Sequence, residues 1–167
     1  KRQLAQLTGT TLAPDEFFVL LEERYKVLRK RAKEMLIEAS EKEMWTKWML
    51  PDFPEEKIAP LSAKLTRLWR DCDGRRVPRE GSTQVIIELH RRGYLLGLIA
   101  NTITETEIPD YIIEEGLGPY IKTIILSSRL GIRKPNPEIY WEASRQIGVA
   151  PVNCMYLGDN LMRDMEG

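Results

Sequence analysis

Apolar residues in the first part of the chain recur at helical spacing. Phe17, Leu20, Leu21, Tyr25, Leu28, Ala32, Met35, Leu36 and Ala39 fall on one side of a helical repeat. Pro14, Asp15 and Glu16 ahead of them make a good helix start, with a proline in the first turn and acids near the positive end of the dipole. A second helix is predicted over residues 41–50, ended by Pro51 and Pro54. A third is predicted over residues 59–69, with Leu61, Leu65, Leu68 and Trp69 on one side. Residues 71–80, DCDGRRVPRE, are polar and read as a crossing between two units.

The texture then changes. Residues 81–92 form an amphipathic helix through Val85, Ile86 and Leu89, closed by Gly93. Residues 94–100, YLLGLIA, are a continuous apolar run, as expected of a strand buried on both faces. A helix over 106–115, a strand over 121–126, a helix over 137–147 and a third strand over 154–157, ending at Gly158, complete the pattern. Helices alternating with apolar strands predict βα units around a parallel sheet, an α/β class.

Composition narrows the function classes. The 167 residues are 43% hydrophobic, enough for a packed core, and 25 basic residues balance 25 acidic ones, so there is no nucleic-acid-binding footprint. The basic run over residues 24–33 is flanked by Glu22, Glu23 and Glu34 and reads as a solvated helix face. Two cysteines without a CxxC pair fit neither a disulfide scaffold nor a zinc site, and a reducing, cytoplasmic compartment is expected. No apolar run approaches the roughly 20 residues that span a bilayer, so no membrane association is expected. Nothing in the sequence signals an oligomeric state.

In open parallel sheets ligands bind beyond the carboxyl ends of the strands. The first predicted strand ends in Ala100, Asn101 and Thr102; the second leads toward Lys134; the third ends in Gly158, Asp159 and Asn160, with Asp164 five residues after Asp159. An amide, a lysine and a carboxylate pair on one edge suit a magnesium-bound phosphate: the carboxylate offers the metal a hard oxygen, and the lysine neutralises phosphoryl charge. Taken singly, Lys134 also fits an exposed loop, Asp159 a helix cap and Asn101 a turn. Their joint order is what favours a site.

The segments LLGLIANT, GIRKPNPEIY and CMYLGDNLMRD resemble the second, third and fourth sequence motifs of the haloacid dehalogenase-like (HAD) hydrolases. The resemblance covers residues 79–167 directly. It implies a Rossmann-like parallel-sheet core, incomplete here, and places residues 1–78 where many members insert an α-helical cap. It also implies a magnesium-dependent phosphatase acting on a small phosphorylated metabolite, in which a first-motif aspartate attacks phosphorus and a second aspartate acts as acid and base. A 2-haloacid dehalogenase, needing no metal, is the other enzymatic reading. By the resemblance Lys134 steadies the nucleophile and the transferring group, and Asp159 holds Mg²⁺. Asp164, with Asn160, stands behind them and orients Lys134 or a metal-bound water, while Asn101 and Thr102 contact substrate.

Two departures qualify this. No DxDxT/V motif follows an apolar strand before residue 79; Asp71 and Asp73 copy the spacing but follow the helical LTRLWR in a polar crossing. The intact protein is therefore expected to continue upstream of Lys1, and the 167 residues alone to be inactive. Second, Ala100 stands where the family presents Ser or Thr, which points toward a weakened enzyme or a HAD-fold binding or regulatory protein. His90 reads as a surface histidine, Trp45, Trp48 and Trp69 as core residues or pocket lining, and Cys154 as a buried, inert strand residue.

Overall fold

The computed structural model describes residues 1–72, 79–160 and 164. The chain divides into two units, Lys1–Arg76 and Val77–Gly167. The predicted boundary, between residues 78 and 79, abuts residues 73–78, which lie outside the described residues, as does Asp73.

The first unit is helical: α1 (Arg2–Thr8), α2 (Pro14–Met35), α3 (Glu41–Glu43), a π-helical stretch (Met44–Met49), α4 (Glu55–Ile58), a 3-10 turn (Ala59–Leu61) and α5 (Ser62–Cys72). Helix α2 starts where expected but stops short of Leu36 and Ala39. Leu36 turns into the left-handed region at φ 54°, and Ser40 caps α3 by accepting the Glu43 N–H at 3.1 Å. A new helix start with its own cap thus overrides the apolar repeat at Leu36 and Ala39. Phe17, Leu21, Met44, Trp45, Ile58 and Leu65 are fully buried. Trp45 also donates its Nε1–H to Thr66 Oγ1 at 2.8 Å, and Trp69 packs against the rings of Phe18 and Tyr25, with centroids 5.2 and 5.3 Å away. Both tryptophans serve as core. Asp71 lies in the last turn of α5, on a helix rather than after a strand.

The second unit is α/β: α6 (Ser82–Arg91), β1 (Leu96–Ala100), α7 (Glu107–Glu114), β2 (Ile121–Leu126), the short α8 (Ser127–Leu130) and α9 (Glu138–Ile147). Strands β1 and β2 run parallel, in register from Gly97↔Thr123 to Ala100↔Leu126, and α9 packs on both. Gly97 is required by that closeness, because a Cβ there would stand 2.8 Å from Thr123 Cγ2.

Two expectations fail here. Residues 154–157 form no strand, and among the described residues the sheet has only β1 and β2. Cys154 is exposed rather than buried, and Met155 and Leu157 are 82% and 72% exposed. Cys154 has extended backbone angles, φ −103° and ψ 144°. Extended backbone becomes a strand only where a neighbouring strand pairs with it, and the sheet holds no third strand among the described residues; the Cys154 N–H bonds back to the Pro151 carbonyl at 2.9 Å instead. β1 is correspondingly half-buried: among the described residues it pairs along one edge, and Tyr94 and Leu95 stay outside the ladder, 59% and 53% exposed.

Candidate active site

The site begins at the carboxyl end of β1. The Asn101 amide binds the backbone of Lys134 at both polar groups: its Nδ2 donates to the Lys134 carbonyl at 3.0 Å, and its Oδ1 accepts the Lys134 N–H at 2.8 Å. One asparagine thereby fixes the loop between α8 and α9 onto the strand end. The next turn is locked as tightly. Ser127 Oγ accepts the Thr102 N–H at 2.9 Å and donates to the Thr102 carbonyl at 3.1 Å, while Ser128 Oγ donates to the Thr104 carbonyl at 3.0 Å. Thr102 is 4% exposed, and its hydroxyl oxygen accepts the Thr104 N–H at 3.1 Å. Asn101 and Thr102, expected to touch substrate, thus have their polar groups engaged in holding the strand-end loops.

Lys134 is the hub. Its Nζ donates to Asp164 Oδ1 at 2.8 Å, with side chains only 9% and 4% exposed, and it also donates to the Tyr156 hydroxyl. Asp164 Oδ2 accepts the Asn160 N–H at 2.9 Å. Burial pushes the Asp164 carboxyl up. Hydrogen bonds from Lys134, the Asn160 N–H and Tyr156, with the lysine charge, outweigh that and hold it below the ordinary aspartate range. A buried ion pair persists only when such extra bonds satisfy both partners.

The structure brings Asn101, Lys134, Asn160 and Asp164 into one bonded network. Asp159 is adjacent in sequence but faces elsewhere: its carboxylate is 67% exposed and pairs with Arg79 Nη2 at 2.9 Å. Among the described residues no group of three His, Cys, Asp or Glu side chains could hold a metal ion. Magnesium needs less than that from protein, because it is commonly bound through one or two carboxylates, with water and phosphate completing the shell. An exposed carboxylate already facing a cation suits such a ligand, and Asp159 fits in that limited sense.

Two residues important to the network escaped the sequence reading. Tyr156 is one. The other is Gly158, where a Cβ would stand 2.3 Å from Asp164 Oδ2. The carboxylate is pinned by Lys134 and Asn160, so it cannot easily move aside. Extended backbone sends residues 156 and 158 to the same side, and that alternation was the signal available.

The sequence pattern of haloacid dehalogenase-like hydrolases matches residues 5–167. The chain belongs to that family. Among its relatives, a glyceraldehyde 3-phosphate phosphatase of Methanopyrus kandleri is 30% identical over 82 residues, 49% of this chain and 35% of that protein. A phosphoserine phosphatase of Thermus thermophilus is 30% identical over 82 residues, 49% and 32% of the two chains. The human haloacid dehalogenase-like hydrolase domain-containing protein 3 is 25% identical over 118 residues, 67% and 43%. The chain thus spans roughly a third to two fifths of the length of these relatives. The HAD fold agrees with the helices and parallel strands of the second unit. No helix among the described residues is long and apolar enough to cross a membrane.

Proposed function

We propose that this chain is part of a magnesium-dependent phosphatase acting on a small phosphorylated metabolite, with Lys134 as its catalytic lysine and Asp159 as a metal ligand. The observation that carries the reading is the Asn101–Lys134–Asp164–Asn160 network, which holds a buried ammonium at the carboxyl end of β1. A lysine so held is suited to neutralise charge on phosphoryl oxygens and on an attacking carboxylate. Phosphatases among the relatives point the same way. Magnesium, when bound, would draw negative charge from the phosphoryl group, and Asp159 would hold it.

The attacking aspartate lies outside these 167 residues on this reading. No DxDxT/V motif follows a strand here, and β1 pairs along one edge only among the described residues. The helical unit Lys1–Arg76 would be the cap, with substrate choice residing there.

The test uses the full-length protein. It should hydrolyse p-nitrophenyl phosphate with magnesium, and Lys134→Met or Asp159→Ala should abolish that activity. Undiminished hydrolysis by Asp159→Ala would remove Asp159 from the site, and undiminished hydrolysis by Lys134→Met would remove the reading. Ala100 favours a second reading, a HAD-fold binding or regulatory protein, and an inactive full-length protein that still binds a phosphorylated ligand would support it.

A further inference from the structure

An ammonium has three N–H donors. Lys134 directs one at Asp164 Oδ1, 2.8 Å away, and another at the Tyr156 hydroxyl. The phenol in turn donates to the same carboxylate oxygen at 3.2 Å. Lysine, phenol and carboxylate therefore close a ring of hydrogen bonds in which Tyr156 Oη accepts from the cation and donates to the anion. The aromatic ring is held as well. It meets Tyr140 of α9 edge-on, with centroids 5.0 Å apart and planes at 78°, and the Lys134 ammonium lies 5.0 Å from its centroid.

A lysine on a flexible four-carbon stem, anchored by one carboxylate, would still swing about that contact. A second acceptor on a clamped ring removes that freedom. We propose that Tyr156 is a positioning residue for Lys134, its hydroxyl holding the ammonium in one orientation so that the remaining N–H is presented in a fixed direction. The consequence for turnover rests on the phosphatase reading above; the positional role itself does not. Packing alone would require the ring and not the oxygen, so Tyr156→Phe separates the two.

In the full-length enzyme Tyr156→Phe should lower kcat about tenfold, the effect of losing one hydrogen bond to a charged group, with KM little changed. In the 167-residue chain, NMR of the Lys134 ammonium should show proton exchange with water accelerating by about the same factor, with the thermal midpoint falling by only a few degrees, because ring and Tyr140 contact remain. Unchanged exchange in Tyr156→Phe would overturn the positioning role, and so would an unchanged kcat in an active enzyme. Faster exchange beside a wild-type protein that hydrolyses nothing would sink the phosphatase reading and support the positioning role.

Discussion

Asn101 and Lys134, 33 residues apart in sequence, are joined by two hydrogen bonds that use both ends of one side-chain amide. The pairing ties the end of β1 to the loop that carries the lysine, and it does so through the lysine's backbone, leaving the ammonium free to meet Asp164. Both bonds are part-buried, so the carbonyl and N–H of Lys134 lose their partners together if the amide is removed.

Asn101→Ala should therefore cost about 2 kcal/mol, the sum of two neutral hydrogen bonds partly offset by water entering the gap. Urea denaturation of the 167-residue chain measures it. A loss below about 0.5 kcal/mol would mean that solvent replaces the amide fully and that Asn101 does not hold the loop.

Gly158→Ala should destabilise the second unit by about 1–3 kcal/mol, because the new methyl meets a carboxylate that has no room to retreat. A double-mutant cycle makes the cause specific. In an Asp164→Gly background the obstructing carboxylate and its Cβ are both gone, so Gly158→Ala should cost little more. Equal costs in both backgrounds would show that the clash with Asp164 is not what requires the glycine.

How much could be read in advance follows from which interactions are local. Helix α9, β2 and the glycine after α6 came from apolar period and turn residues, signals contained within each segment. Lys134 and Asp164 fall on one edge by the rule that ligands bind beyond strand ends, and the motif resemblance supplies their roles, but their contact has no periodic signature. The strand expected over residues 154–157 failed because an apolar run states that backbone can be extended, not that a neighbouring strand exists to pair with it. Cys154 was judged buried on the same assumption and is exposed. Tyr156 was missed because its ring fits a strand equally well; only its oxygen between Lys134 and Asp164 gives it a role.

Acid should weaken the second unit through Asp164. Its folded carboxyl titrates below the ordinary range, so the pair contributes stability that is fully present above the unfolded value of about 3.9 and is lost as pH falls through the lower folded value. Urea midpoints of the wild type and Asp164→Asn, followed downward from about pH 7, should differ by a constant amount until about pH 4 and then converge. A gap independent of pH would show that the Asp164 charge contributes nothing to folding.

Ala100 offers the sharpest test of whether the site is weakened. It closes β1 opposite Leu126, where the family presents a hydroxyl, and Thr102, two residues on, carries a hydroxyl of its own. The structure engages that oxygen elsewhere: it is buried and accepts the Thr104 N–H. Accepting that bond leaves the O–H as a donor, but the side chain is buried within the loop with Thr104 Oγ1 3.4 Å from its oxygen, so it is placed for the loop. Ala100→Ser should therefore raise kcat/KM of the full-length enzyme about tenfold toward p-nitrophenyl phosphate, because a hydrogen bond to a charged oxygen contributes roughly 1.5–3 kcal/mol and part of that is lost in ordering the new side chain. Thr102→Val should leave kcat/KM within about twofold when measured at a temperature where the variant stays folded, if the loop bond is what its hydroxyl serves. A rise absent from Ala100→Ser together with a large fall in Thr102→Val would assign the missing contact to Thr102.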